Sequence, residues 1–531
     1  MLLLLIVIAA LTALVIYGFS LRKPGPSLPP APKRLPIIGN IMDLPPANMP
    51  EYRHWLKHRE AYGPISSVSI MGQTLILIHD KQATIDLLEK KSTMTAGRPT
   101  PVFATMCKFS EFLVFQTYGE KFRRGRKFVD HQLSTRARVA RFDKIQEVEV
   151  RRFLLRVLKQ PGDVHRHLHT LSGAIILKMT YGYSIKPDQP DPLVELSERM
   201  TTNLSLAAVP LARLVDAMPF LRYLPEGFPG TGFKKTARQW AKVNQDVADV
   251  PYSLVRRQMA TGVYPASYTS DLVDQYSKDT AEGPRLSLDD EHTIKWTAGL
   301  LYGAGSETTA SSLSGFILAM VLFPKVQRKA QEELDRVVGN DRLPRLSDRD
   351  NLPYIEGVVG ETFRWSPIGP LGFPHITSES MVYNGYLIPK GAALIASIFW
   401  LLHDPDVYAD PESFDPERYG EPRFEPDPKS VVFGFGRRIC PGRYLADGTT
   451  FLTIAQTLAA FTITKAVDGQ GRELEAKHET MTGITNKVKD FPYRMMVRSP
   501  KAETLIRSIE VEQPWGEDEG SALLDEIAID E

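Results

Sequence analysis

The first 21 residues, MLLLLIVIAALTALVIYGFSL, carry no charge. A helix rises about 1.5 Å per residue, so a run of this length matches the roughly 30 Å hydrocarbon core of a bilayer. Whatever the rest of the chain forms must therefore fold as a body tethered at one end. A cleaved signal peptide is the other reading of such a run, but no basic region precedes it and no A-x-A-like site follows. Residues 1–21 are accordingly expected to form a transmembrane signal anchor. Arg22 and Lys23 come next, and the positive-inside tendency puts everything after them on the cytosolic side. On that orientation Asn203, in the sequon NLS, stays unmodified. Residues 22–50 include KPGPSLPPAPKRLP, whose prolines fix φ and remove donors, so they read as a stiff hinge and linker.

From 51 to 500 no composition break or internal repeat divides the chain. Apolar residues recur at roughly 3.6-residue spacing over 81–91, 118–133, 141–159, 233–260, 288–323, 324–338, 354–365 and 442–461. Short β-like runs lie at 65–70 and 74–78, near 381–397 and at 491–498. The expected fold is mainly α with a small β portion. A net charge of +1 gives no reason to expect nucleic acid as a partner. Two cysteines, Cys107 and Cys440, make neither a disulfide framework nor a structural zinc site, which fits a reducing compartment. After Arg507 no basic residue follows while Glu510, Glu512, Glu517 and Asp518 begin an acidic run. Residues 501–531 are expected to be a solvated, disordered tail.

Cys107, in ATMCKFS, reads as an ordinary buried thiol. Cys440 stands in FGFGRRICPG, residues 433–442. Gly434 and Gly436 let the backbone turn tightly and approach a flat ligand. Pro441 suits the first position of a helix, whose free N–H groups favour a thiolate nearby. A thiolate on haem iron needs such a glycine loop, an aromatic shield and a cation for the propionates. Phe433, Gly436, Arg438, Cys440 and Gly442 supply these in the order F-x-x-G-x-R-x-C-x-G. The stretch resembles the cysteine loop of the cytochrome P-450 superfamily of haem-thiolate monooxygenases at every fixed position.

Three further stretches extend the resemblance. In LLYGAGSETTASSL, Gly303 and Gly305 interrupt a helical run at a cost of roughly 1 kcal/mol each against Ala. Close helix packing is one reason for them. The other is a locally opened helix where Glu307 and Thr308 relay protons, as in the family's A/G-G-x-D/E-T-T oxygen-activation segment. ETFR places Glu361 and Arg364 three apart, and DPERY supplies Arg418. The resemblance makes these three a buried structural network behind the haem. YGEKFRRGRKF has Phe122 where the family usually has Trp, and Arg126 where it has the propionate-binding Arg. Arg123, Arg124 and Lys127 beside it form a solvated basic face or a docking patch for an acidic reductase. His375, in GFPHITSE, falls where many members place another propionate contact.

Taken over residues 30–500, the resemblance implies a cytochrome P-450 fold, with haem between a long oxygen-activation helix and the cysteine-loop helix, plus one transmembrane helix. It is most similar to fungal microsomal members of secondary metabolism. It implies haem b ligated by Cys440, NADPH acting through a membrane-bound flavoprotein reductase, and one oxygen atom of O₂ inserted into an apolar small molecule of terpenoid or aromatic polyketide type. Phe103, Met106, Phe109, Phe112, Leu204, Leu206, Ile368, Leu371 and Ile484 are the expected pocket apolar residues, some of them simply core. A monomer on the endoplasmic reticulum membrane, catalytic domain in the cytosol, follows from the same likeness. Two rivals differ in class: a haem-thiolate isomerase or dehydratase that consumes no O₂, and a non-catalytic membrane haem- or sterol-binding protein.

Overall fold

The computed structural model describes residues 26–515, apart from 47–48, 186–190, 208–212, 280–284, 482 and 484. The expected anchor over 1–21 and the tail beyond 515 lie outside the described residues. Among the described residues no single helix is long and apolar enough to cross a membrane.

The longer helices, in chain order, are α1 (Glu51–Tyr62), α2 (Glu120–Leu133), α3 (Asp143–Lys159), α4 (Val164–Tyr181), α5 (Pro192–Ala207), α6 (Phe233–Ala260), α7 (Tyr268–Tyr276), α8 (Leu288–Leu322), α9 (Pro324–Val337), α10 (Pro353–Trp365), α11 (Arg443–Ala460) and α12 (Pro500–Arg507). α8 organises them. Ser287 caps its start by accepting from the Asp290 N–H, with Asp289, Asp290 and Glu291 in the first turn to meet the positive helix end. Pro324 stops it and opens α9, where a missing N–H costs nothing.

α8 is exposed in its first turns and almost wholly buried from Ser306 to Val321, as its apolar composition there requires. Its first half joins one core, where Trp296 and Tyr302 meet Phe112, Ile176 and Val247. Its second half, from Ala310 to Val321, joins another with Phe153, Leu171, Phe363 and Phe451. Residues 303–309 fall between the two cores, and an internal cavity opens there.

The strands are β1 (Ile65–Ile70), β2 (Gln73–Ile78), β3 (His375–Ile376), β4 (Met381–Tyr383), β5 (Tyr386–Ile388), β6 (Ala393–Ala396), β7 (Phe461–Thr464) and β8 (Arg494–Val497). The largest sheet runs β1-β2-β6-β3, with β2 parallel to β6 and the other pairs antiparallel. Its register sets His375 opposite Leu394.

Three expectations need correction. The helix over 81–91 is an α turn, Lys81–Thr84, running into a π turn, Ile85–Lys90. The helix after the cysteine begins at Arg443 with Gly442 as its cap, so Pro441 precedes it. The acidic tail does not begin at 501: Ser499 caps α12, and Ile506 and Ile509 are fully buried. Glu512 pairs with Arg151 at 2.6 Å, Glu510 with Lys159 at 3.1 Å, and the Trp515 ring lies 3.9 Å from the Arg152 guanidinium. Counting acidic residues there hid an apolar pair with helical spacing.

Candidate active site

The loop 433–442 is closed by its own backbone. The Cys440 N–H donates to the Phe433 carbonyl at 2.8 Å, and Gly434 and Gly436 sit at φ of +77° and +54°. A Cβ on Gly436 would come within 2.4 Å of the Leu88 carbonyl, so only glycine lets the loop seat against the π turn. The half-buried Cys440 thiol faces the internal cavity together with Phe433 and Gly442. Burial raises its thiol above the ordinary range, against the Gly442 N–H and the charges of Arg126 and Arg443.

Arg438 and His375 converge on the same cavity, and the structure adds Arg98, which the sequence reading missed. Arg98 donates to the carbonyls of Val114, Phe373 and Pro374 at 2.8 to 3.1 Å. Arg438 donates to those of Ala96, Leu113 and Gln116. His375 Nδ1 bonds the Thr95 carbonyl at 3.0 Å, leaving Nε2 toward the cavity. No carboxylate pairs with these groups among the described residues. Burial, with mutual repulsion, holds Arg98 and His375 well below their ordinary values, and burial with Arg126 holds Arg438 at about 10. Two guanidiniums, Arg98 buried and Arg438 partly so, are costly without a counter-charge unless an anion arrives. With the neutral His375 beside them they fit a flat dianionic ligand whose metal Cys440 would hold, so the residues present suit haem. The only advance signal for Arg98 was a lone cation in AGRPTP.

Two expected contacts differ. Arg126 does not line the cavity; it chelates Asp130 at 2.8 and 2.9 Å and donates to the Ile439 carbonyl at 2.6 Å. It thus braces the residue before Cys440. Phe122, in the family's Trp position, lies under the Arg438 guanidinium at 3.8 Å, a cation–π contact in place of an N–H donor.

Glu307 and Thr308 reach the cavity from α8. The helix is unbroken through this segment, and the Thr308 hydroxyl donates to the Ala304 carbonyl at 2.9 Å, so no local opening is seen. The glycines serve packing instead. A Cβ on Gly303 would meet Met200 Cε at 1.9 Å, and one on Gly305 would meet Ile176 Cδ1 at 2.6 Å. Glu307 is buried and held: Lys487 Nζ lies 2.7 Å from Oε1, to which Ser311 also donates at 3.1 Å.

The cavity, about 390 Å³, is mostly apolar. Of the expected residues, Phe109, Phe112, Leu204, Ile368 and Leu371 line it, joined by Phe115 and Phe373. Phe103 and Met106 do not; Phe103 packs edge-on to Trp240 in the core. Leu206 is exposed, and Ile484 lies outside the described residues.

Behind the loop, Glu361, Arg364 and Arg418 all have 0% side-chain exposure. Arg364 forks onto Glu361 at 2.6 and 2.9 Å, and Arg418 Nε reaches Glu361 at 3.0 Å. Glu425, unforeseen, takes Arg418 Nη1 at 2.6 Å and makes the set neutral. Burial lowers Arg364, but its bond to Glu361 wins and its pKa is raised.

On the surface, Arg123, Lys127, Arg437 and Arg443 line a hollow of about 470 Å³. Arg123 and Lys127 are exposed and form no ion pair among the described residues. Arg124 belongs elsewhere, paired with Asp290 at 2.6 Å and Asp289 at 3.3 Å.

Residues 29–489 match the Cytochrome P-450 family model. The chain is 46% identical over 530 residues to the cytochrome P-450 monooxygenase CLM2 of Gibberella zeae, covering 99% of this chain and 100% of that one. It is 45% identical to the multifunctional cytochrome P-450 monooxygenase af510 of Aspergillus fumigatus, over 95% and 94% of the two chains. It is 38% identical to the O-methylsterigmatocystin oxidoreductase of Aspergillus flavus, over 92% and 91%. With a thiol, an acid–alcohol pair and two unpaired guanidiniums around one apolar cavity, the chain belongs to the cytochrome P-450 family of haem-thiolate monooxygenases and is an oxidoreductase.

Proposed function

We propose that this protein inserts one oxygen atom of O₂ into an apolar small molecule of terpenoid or aromatic polyketide type in fungal secondary metabolism, using NADPH-derived electrons from a flavoprotein reductase. The observation that carries the reading is the convergence of Cys440, Glu307 and Thr308 on one apolar cavity. Haem iron, when bound, supplies oxygen activation and transfer. Cys440 holds it as a thiolate, because a metal-ligating cysteine is deprotonated. Arg98, Arg438 and His375 would bind the haem propionates. Phe109, Phe112, Phe115 and Phe373 exclude water and orient an apolar substrate. Thr308 presents its hydroxyl to the cavity, and Glu307 would pass protons onward through its carboxylate. Glu361, Arg364 and Arg418 keep the loop in place.

The substrate class draws on the apolar wall and on relatives, one of which is named for a small molecule, O-methylsterigmatocystin. The exposed Arg123 and Lys127, with Arg437, suit docking of an acidic reductase, which quickens encounter more than it tightens binding. A monomer on the endoplasmic reticulum membrane with a cytosolic body completes the reading, and it requires Asn203 to be free of glycan.

The test is the difference spectrum of dithionite-reduced, CO-saturated membranes carrying wild type or Cys440→Ser. A strongly red-shifted Soret band in wild type, absent from the variant, is expected. A folded wild type without the band, or a variant that keeps it, would overturn the ligand assignment.

A further inference from the structure

We propose that His169 is the surface end of a proton relay that reaches the cavity through Glu307, an inference that rests on the oxygen-insertion reading above. Oε1 of Glu307 is occupied by Lys487 and Ser311, while Oε2 faces His169 Nδ1 at 3.7 Å. The carboxylate thus has one oxygen turned away from the Lys487 contact and toward an imidazole. His169 stands on α4, which packs along α8, and its side chain is 29% exposed against 6% for Glu307. It therefore touches solvent at one edge and the buried acid at the other. Glu198, 51% exposed on α5, lies 4.0 Å from the same Nδ1.

The other charged groups around the ring are Lys487, beyond Glu307, and His165, one turn earlier on α4 beside Asp490. His is the side chain that changes charge most readily near neutral pH. A shift of about half an ångström brings Nδ1 and Oε2 within hydrogen-bond reach. The imidazolium then passes its Nδ1 proton to Oε2, leaving neutral imidazole and a carboxylic acid. The imidazole takes a proton from solvent; the neutral carboxyl, no longer drawn to the Lys487 ammonium, turns on its side-chain bonds and returns to carboxylate as it releases its proton into the cavity beside Thr308. Atoms and charge balance over the cycle, and no further reactant is needed. Lys487, 2.7 Å from Oε1 and 30% exposed, is the rival source, and the Lys487→Met variant below separates the two.

The experiment uses the full chain in vesicles with an NADPH-dependent reductase, after the reduced CO spectrum of each variant has been recorded. NADPH consumption and peroxide release are followed from pH 5.5 to 8 in H₂O and D₂O for wild type, His169→Phe, His169→Gln and Lys487→Met. Loss of His169 is expected to slow consumption by about tenfold, less than the roughly 10²–10⁴ of a donor acting directly. The solvent isotope effect should rise, and added imidazole should restore the rate in His169→Phe but leave Lys487→Met unchanged. Infrared titration of the Glu307 carboxyl, assigned by its loss in Glu307→Gln, gives a readout independent of turnover: its midpoint should move up in His169→Phe. Unchanged rate and isotope effect in both His169 variants, failure of imidazole rescue, or an unmoved carboxyl titration would each overturn the relay while leaving the thiolate spectrum intact. A wild type that lacks the red-shifted band would instead overturn the underlying reading, and the relay with it.

Discussion

Replacing Arg418 by Met tests the buried network quantitatively. Arg418 is fully buried, Nε 3.0 Å from Glu361 and Nη1 2.6 Å from Glu425. Its loss leaves two carboxylates to be shared between Arg364 and Arg423, of which Arg364 is already forked onto Glu361. Glu425 keeps only the half-exposed Arg423, so one buried negative charge is left short of a partner. Breaking a buried pair from one side costs about 3–5 kcal/mol. Unfolding entropy near 2.1 cal/mol/K per residue over 531 residues gives about 1.1 kcal/mol per degree. The variant should therefore melt about 3–5 °C lower in calorimetry of the haem-loaded protein. Adding Glu425→Gln should recover part of the loss, since it removes the stranded charge. A shift under about 1 °C, or a double variant that melts at the sum of two separate losses, would refute the coupling argued here.

Burial pushes the Cys107 thiol up to about 12, so iodoacetamide at pH 8 should leave it unlabelled until the chain is denatured, as peptide mass spectrometry would read. His58 and His79 are each pushed down to about 4 and His403 to about 3, chiefly by burial, from an ordinary 6.5. The unfolded chain then binds more protons between those values, so stability should be level above pH 7 and fall from about 6.5 toward 4; guanidinium midpoints at pH 7.5, 6 and 5 that do not decline would contradict this. Gly305→Ala should destabilise by about 1–3 kcal/mol through the Ile176 contact, and Ile176→Val beside it should relieve part of that loss in the same melts.

Much of this architecture was readable because it rests on patterns local in sequence. The glycine loop, the ETFR pair and the amphipathic helices carry their spacing within a few residues, and the structure places them accordingly. α4 was not seen: its segment VHRHLHTLSGAIILKMTY is buried on nearly every face, which erases the 3.6-residue alternation. Arg98, Glu425 and His169 were missed for another reason. Arg98 and His169 acquire their roles from partners distant in the chain, at Phe373 and Glu307, while Glu425 meets Arg418 seven residues back with no regular element to carry the spacing, so no local pattern announces these contacts. The glycines of α8 left two readings open in the sequence because a missing side chain looks the same whether the helix opens or a neighbour such as Met200 approaches.

Arg438 ties three carbonyls, those of Ala96, Leu113 and Gln116, to the segment that carries Cys440. The stretch bearing Phe109, Phe112 and Phe115 is therefore not an independent wall but part of the same rigid piece as the cysteine loop. Evolution of a new substrate preference is constrained accordingly. Changes within 98–116 propagate to the sulfur, whereas Met200, Leu204, Ile368 and Leu371 approach the cavity on elements without that tether. Drift among related enzymes that keep the chemistry but exchange substrates should accumulate on the untethered side of the cavity first.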